Sequence, residues 1–217
     1  AIVGATGSGK STIIKLLNRF YNIDKGKIYI DDINISEYSI SSLRKNIGFV
    51  SQDVHLFTDS ILNNITLKNN DIPFIRVKNA AKEIKIDSFI SSLPGGYNYN
   101  VKERGVSLST GQRQLISFLR VYIKNPQILV LDEATSSVDT DSELLIQNAI
   151  EQITKNRTSI IIAHRLSTIM KADNIVVMDK GKIVESGKHS ELIIKKNGYY
   201  KKLYNSQLNK ETNLVIG

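Results

Sequence analysis

The sequence predicts an α/β fold, in which a parallel sheet core carries an inserted helical subdomain and a partial antiparallel β subdomain. Short apolar runs, such as residues 128–131 and 159–163, are typical of strands that are buried on both faces. They alternate with amphipathic segments of helical periodicity, which is the pattern of a parallel sheet. Residues 53–124 are helix-rich and polar and interrupt this alternation, so we expect them to form the helical subdomain.

A glycine-rich loop joins the first apolar run to the first helix. Residues 4–12 read Gly-Ala-Thr-Gly-Ser-Gly-Lys-Ser-Thr, which matches the pattern G-x-x-x-x-G-K-S of the phosphate-binding P-loop. Glycines let the backbone curl so that its N–H groups face phosphate oxygens, and the following helix N-terminus adds a partial positive charge. Lys10 can reach the β- and γ-phosphates, and the Ser11 hydroxyl can hold Mg²⁺. The residues expected to hold the nucleotide phosphates are Gly4, Thr6, Gly7, Ser8, Gly9, Lys10, Ser11 and Thr12.

The other regular segments are predicted from alternation, helical spacing and turn residues. They are a hairpin over 26–35 with an Asp-Asp turn, a strand over 45–51, a helix over 141–153, a hairpin formed by 174–179 and 182–186, and a helix from His189 onward with a frayed tail.

Residues 1–217 are interpreted as one domain. Its predicted parts are a P-loop core of 1–52 and 125–190, the helical subdomain of 53–124, and a C-terminal helix and tail of 191–217. Because only three residues precede Gly4, we expect that strands upstream of the loop are missing from this sequence.

Composition excludes several kinds of site. The chain has no cysteine, so it forms neither disulfides nor a thiolate metal site. No apolar run approaches the ~18 residues of a membrane span. The net charge of +8 would suit a nucleic-acid-binding protein, but the lysines are scattered along the chain. The densest basic stretch, residues 195–202, is interpreted as a solvated or membrane-proximal face, and we expect no nucleic-acid partner.

Two carboxylates follow the apolar run at 128–131. Asp132 sits at the carboxyl end of this strand, where P-loop enzymes place the carboxylate that orients Mg²⁺. A second carboxylate beside it, Glu133, suits a general base that acts on the attacking water. The alternative interpretation is an acidic pair at a helix start, stabilised by the helix dipole.

A third polar segment, Leu-Ser-Thr-Gly-Gln at 108–112, precedes an amphipathic helical pattern over 113–123. Ser109 is a candidate N-cap of that helix, and taken alone this would be the default interpretation. The order of the segments changes the interpretation: P-loop, Gln52 at a strand end, Leu-Ser-x-Gly-Gln, Asp-Glu after an apolar run, and then His164 after another strand.

This ordered set resembles the nucleotide-binding domain of ABC transporters over essentially the whole chain. The matching segments are the Walker A motif (4–12), the Q-loop glutamine Gln52, the signature motif (108–112, with Thr110 where glycine is usual), Walker B with its catalytic glutamate (128–133), the D-loop (137–139) and the switch histidine His164. Residues 56–65, 102–105 and 187–192 resemble segments of the exporter branch of the family.

The resemblance implies that two such domains sandwich two ATP molecules, each between the P-loop of one subunit and the signature motif of the other. Glu133 would polarise the attacking water, His164 would contact the γ-phosphate, and Asp139 would cross the dimer interface. The implied catalytic residues are Lys10, Gln52, Glu133 and His164. The implied nucleotide contacts beyond the P-loop are Gln52, Asp132, Ser109, Gly111 and Gln112. The implied Mg²⁺ contacts are Ser11, Gln52 and Asp132.

By the same resemblance, the chain would power export of a substrate at the cytoplasmic face of a membrane, such as a bacterial inner membrane. Its partners would be a second nucleotide-binding domain, either identical or paralogous, and a transmembrane domain that is absent from this chain. The alternative is a soluble ABC-type ATPase that acts on ribosomes or DNA. The exporter-type segments at 56–65 and 102–105 disfavour that alternative.

Overall fold

The computed structural model describes residues 1–102, 105, 107–132, 140–163 and 165–216. Its strands are β1 (Ile2–Gly4), β2 (Tyr29–Ile30), β3 (Ile33–Asn34), β4 (Ile47–Val50), β5 (Asp59–Ser60), β6 (Asn100–Val101), β7 (Ile128–Asp132), β8 (Thr158–Ile162), β9 (Ile175–Asp179) and β10 (Lys182–Gly187). Its α-helices are α1 (Lys10–Leu17), α2 (Ile40–Asn46), α3 (Ile61–Thr66), α4 (Phe74–Glu83), α5 (Asp87–Ser92), α6 (Thr110–Lys124), α7 (Thr140–Thr154), α8 (Leu166–Met170), α9 (His189–Leu192) and α10 (Tyr199–Ile216). A 3₁₀ turn spans Gly96–Asn98.

Six strands form one sheet, in the order β10-β9-β1-β8-β7-β4. Strand β1 pairs in parallel with both neighbours, since Ile2 lies opposite Ile162 of β8 and Val176 of β9. Strand β10 runs antiparallel to β9. Two small antiparallel sheets, β2–β3 and β5–β6, accompany the main sheet. The α/β prediction with added antiparallel strands is therefore confirmed.

One compact unit contains the described residues of 1–44, 131–134 and 160–217. Its core lies where β1 and β9 pack against α8, α9 and α10. The buried members of this core are Val3, Ala163, Leu166, Ile169, Ile175, Val177, Leu192 and Tyr200. The loop that follows β1 is thus anchored on a strand that contributes to this buried core.

The second compact unit contains the described residues of 45–130 and 135–159. Helix α6 contacts α3, α4, α7 and β4. A Cβ atom added at Gly48 of β4 would lie 2.5 Å from side-chain carbons of Val121 and Pro126, so only glycine fits there. Within the described residues, no helix has both the length and the apolar character to cross a bilayer.

Two predicted boundaries were wrong. The strand predicted over 45–51 is shorter, because residues 45 and 46 form the last turn of α2. The helix predicted from His189 onward is two helices, since Asn197 adopts a left-handed φ of 61° between them. Helix α10 starts instead where the carboxylate of Glu185 accepts hydrogen bonds from the N–H groups of Tyr199 (3.0 Å) and Tyr200 (2.9 Å). A carboxylate from a distant strand therefore fixes this helix start, and helical periodicity cannot report it.

Candidate functional site

The glycine-rich loop connects β1 to α1, as the sequence predicts. Gly4 ends the strand, and a Cβ atom there would lie 2.3 Å from the carbonyl oxygen of Met178 on β9, so any side chain would collide with backbone. Gly9 caps the helix with φ 100°, a left-handed conformation that a side chain disfavours. The loop therefore needs glycine at Gly4 and at Gly9 for two different reasons.

The start of α1 has N–H groups that the helix itself does not pair. The carbonyl oxygen of Gly9 accepts from the N–H groups of Thr12 (3.1 Å) and Ile13 (3.3 Å), which are the first hydrogen bonds of the helix. The N–H groups of Lys10 and Ser11 come before them and belong to the turn that an α-helix cannot pair internally. Such a helix start carries a partial positive charge and attracts anions.

Lys10 is a buried cation, with 8% of its surface exposed. Its Nζ donates to the carbonyl oxygens of Gly4 (2.8 Å) and Ala5 (3.0 Å), so the ammonium group is turned back onto the loop. Burial lowers the pKa of Lys10, and the negative charge of Asp132 opposes this shift. Both acceptors are neutral carbonyl groups, so they do not balance the positive charge of the ammonium group. A bound anion would help to balance it.

Ser8 gives a second sign that this loop binds a polar ligand. It is 3% exposed, and its Oγ has no hydrogen-bond partner within the part of the chain that the structure describes. Buried hydroxyl groups are nearly always paired, so an orphaned one beside Lys10 fits a polar ligand. A phosphate chain therefore fits this loop. The other predicted P-loop contacts, Thr6, Gly7, Ser11 and Thr12, are exposed on the same loop and helix start.

Asp132 is the last residue of β7 and is half-buried. Its effect on the pKa of Lys10 places its charge in the electrostatic surroundings of the P-loop. Carboxylate and hydroxyl oxygens are the ligands that Mg²⁺ prefers, so Asp132 and Ser11 fit the predicted metal role. Glu133, Asp139 and His164 lie outside the described residues.

In the second unit, Gln52 follows β4 and is exposed. The neighbouring turn is closed by the Ser51 hydroxyl, which donates to the carbonyl oxygen of Asp53 at 2.8 Å. This places Gln52 at a strand end with its side chain accessible, as a sensing role would require.

The signature segment begins α6 through a reciprocal capping box. The Oγ of Ser109 accepts from the N–H of Gln112 at 3.2 Å, and the Oε1 of Gln112 accepts from the N–H of Ser109 at 3.0 Å. Gly111 is buried in the first turn. The Thr110 hydroxyl, at the position where the family pattern has glycine, accepts from Arg113 at 3.0 Å. The hydroxyl group of Thr110 therefore has a hydrogen-bond partner in the first turn of its own helix.

Sequence reasoning missed two arginines that shape this unit. Arg113 donates to the carbonyl oxygen of Leu108 at 2.8 Å and so fixes the loop before α6. Arg120 donates through Nε to the carbonyl oxygen of Asn64 at 2.8 Å and so connects α6 to the segment that follows the Q-loop. Burial lowers the pKa of Arg120. The amphipathic pattern of 113–123 could have indicated only that Arg120 interrupts an apolar face.

Comparison with known proteins decides the family. A family model described as "ABC transporter" matches residues 1–136, which is more than half of the chain. The chain belongs to the ABC transporter family. It is 49% identical over 208 residues to the ATP-dependent lipid A-core flippase of Haemophilus ducreyi, covering 95% of this chain and 36% of that protein. It is 50% identical over 207 residues to ABC transporter B family member 2 of Dictyostelium discoideum, covering 95% of this chain and 15% of that protein.

A solved structure gives the same result for the fold of this ABC chain. The structure of a bacterial Atm1-family ABC exporter with ATP bound matches with a TM-score of 0.86 and 43% identity, over 95% of this chain and 36% of that chain. This confirms the P-loop NTPase fold. One of these relatives is named a flippase and another an exporter, which supports the exporter prediction over the soluble alternative. This chain spans about a third of the length of the flippase and of the exporter that it matches.

Proposed function

We propose that this chain is the ATP-binding and ATP-hydrolysing part of an ABC exporter, and that it powers movement of a substrate across a membrane. The flippase and exporter relatives favour this role. The observation that carries the proposal is the buried ammonium group of Lys10, which lies at a helix start and is bound by two neutral carbonyl oxygens. An ATP phosphate chain would add negative charge to that of Asp132 and so help to balance the charge of this ammonium group.

The P-loop residues would bind the phosphates and orient them. The N–H groups at the start of α1 and the ammonium group of Lys10 would donate to phosphate oxygens, and burial of Lys10 would strengthen that attraction. Mg²⁺, when bound, would neutralise charge on the phosphate oxygens, and the Ser11 hydroxyl and the Asp132 carboxylate would hold it. Glu133 would accept a proton from the attacking water, and His164 and Gln52 would hold the water and the γ-phosphate in place.

The signature segment would act on the nucleotide of a second, similar domain. Ser109 and the N–H groups at the start of α6 are donors at a helix N-terminus, which is an arrangement that stabilises negative charge. Gly111 leaves room for close approach of that nucleotide. The partner domain would be an identical chain or a paralogue, and a transmembrane domain would couple the pair to transport at the cytoplasmic face of a membrane such as a bacterial inner membrane.

The test uses the intact transporter in lipid vesicles, where ATP hydrolysis and ATP binding are measured separately. Glu133→Gln keeps the size and hydrogen bonding of the side chain but removes its ability to accept a proton. We expect hydrolysis to fall by ~10²-fold or more, while ATP binding persists and traps a dimer. Near-normal turnover of this variant would remove Glu133 from the role of base, and absence of hydrolysis by the wild type would overturn the proposed function.

A further inference from the structure

The turn between β9 and β10 lies directly against the P-loop, 170 residues away in sequence, and no P-loop motif includes it. The N–H of Gly181 donates to the carbonyl oxygen of Ser8 at 3.0 Å. The Met178 carbonyl oxygen meets Gly4, and a Cβ atom at Gly9 would lie 3.5 Å from the Met178 side chain and 3.6 Å from the Cα of Gly181. The P-loop therefore contacts this hairpin both at Gly4, where the loop begins, and at Ser8 and Gly9, where the loop ends.

The hydrogen bond from Gly181 fixes the direction of a neighbouring N–H group. The carbonyl of Ser8 and the N–H of Gly9 belong to one planar peptide unit, which is trans, so the two groups point in opposite directions. When the carbonyl is held towards the hairpin, the Gly9 N–H must point away from it. Gly9 can rotate easily because it is a glycine with φ 100°, so this peptide needs an external partner to keep its direction.

The turn itself is built to present this donor. Lys180 (φ 47°) and Gly181 (φ 76°) are both left-handed, which is the conformation of a two-residue type I′ hairpin turn. A Cβ atom at Gly181 would meet nothing within 4 Å, so glycine is needed there for its backbone conformation and not for space. The backbone conformation of the turn therefore sets where the Gly181 N–H lies beside the loop.

We propose that Gly181 is a positioning residue for nucleotide binding, which holds the Ser8–Gly9 peptide so that the Gly9 N–H is aimed at the phosphates. This inference rests on the proposed function, because it concerns how the P-loop binds ATP. The oriented N–H contributes to phosphate binding before and during hydrolysis alike. Loss of the correct orientation of the Gly9 N–H therefore raises the KM for ATP and leaves kcat nearly unchanged.

The test compares Gly181→Val, Gly181→Asn and Gly26→Val in the intact transporter. Valine at φ 76° strains the turn and moves the donor, whereas asparagine tolerates the left-handed conformation. Gly26 is the matched control, because it also has a left-handed φ (88°) and open space around its Cβ position, but it lies in a different turn. ATP hydrolysis is measured over a range of ATP concentrations, together with thermal unfolding.

We expect Gly181→Val to raise the KM for ATP about tenfold, the size of a lost hydrogen bond near charged groups, with kcat within about twofold of the wild type. Gly181→Asn should recover most of the affinity, and Gly26→Val should keep the wild-type KM.

A purely structural role of Gly181 would lower the folded fraction, so that apparent kcat falls and KM stays unchanged; that outcome overturns the proposal. If Gly181→Val does not fold, Gly181→Ala replaces it with the same expected rise in KM. Failure of the proposed function would appear separately, as absence of hydrolysis by the wild type.

Discussion

Ser109 and Gln112 form two reciprocal hydrogen bonds at the start of α6, at 3.2 and 3.0 Å, in which the side chain of each residue accepts from the backbone N–H of the other. The same serine is the signature residue that we propose to contact the partner's ATP. A hydroxyl group can accept and donate at once, so capping and phosphate contact are compatible. The structural and functional roles of Ser109 can nevertheless be separated by substitution.

Ser109→Asn should separate the two roles. Asparagine is as good an N-cap as serine, so the thermal stability should change little. The loss of the small hydroxyl should lower ATP hydrolysis about tenfold, the size of one hydrogen bond to a charged group. Gln112→Ala is the complementary variant, which should cost stability of ~1 kcal/mol by opening the capping box. Full hydrolysis by Ser109→Asn would mean that Ser109 is a cap and nothing more.

Lys10→Met should weaken ATP binding without weakening the fold. Methionine fills similar space without a charge, and burial already opposes the charged form of Lys10, as its lowered pKa indicates. We expect the Kd for ATP to rise by about tenfold to a hundredfold, the range for hydrogen bonds to charged groups. Calorimetric titration measures the Kd, and Lys15→Met, an exposed position on the same helix, is the control. Unchanged ATP affinity would contradict the role of Lys10.

Asp59 should make stability depend on pH in the acid range. Its carboxylate is bound by Lys68 (2.9 Å), by the side chain of Asn63 (2.7 Å) and by the N–H of Ser60 (2.7 Å). These contacts, that of Lys68 first, lower the pKa of Asp59 from 3.8 to about 2. Because the folded-state pKa is depressed, the unfolded state binds more protons, and the stabilisation present above pH 3.8 is lost as the pH falls towards 2.

Asp59→Asn should therefore be less stable than the wild type at pH 6, and this difference should shrink between pH 4 and pH 2. Chemical unfolding at a series of pH values measures it. Asp71→Asn, at an exposed position of the same unit, is the control for the change of one aspartate to asparagine. A difference between Asp59→Asn and the wild type that stays constant down to pH 2 would contradict the depressed pKa.

Mixed dimers should reveal action between subunits. A Lys10→Ala chain lacks the P-loop cation, and a Gly111→Asp chain places a carboxylate in the buried first turn of α6. If each ATP lies between two subunits, a dimer of one chain of each kind has one site with both defects and one site with neither. Hydrolysis should therefore be higher in the mixture than with either defective chain alone. Absence of activity in verified mixed dimers would favour hydrolysis within one subunit or obligatory coupling of the two sites.

Features that are formed by residues close together in the chain could be predicted from the sequence. The loop of residues 4–12 and the Ser109 cap depend on hydrogen bonds between positions at most a few residues apart, so their residue types identify them. The turn at Lys180 and Gly181 was also predicted, and both residues adopt the left-handed conformation that such a turn requires.

The partners of these local features were decided only by the tertiary structure. Gly181 meets Ser8 because β9 pairs with β1, and Arg120 meets Asn64 because α6 packs on α3. Glu185 caps α10 from a separate strand in the same way. In each case the pairing or packing of two elements brings together a donor and an acceptor that lie in different parts of the chain. The sequence by itself thus indicated the family, the fold class and the phosphate loop. Folding decided which distant groups hold that loop in place, since a hydrogen bond between two backbone groups far apart in the chain leaves no local side-chain pattern by which it could be predicted.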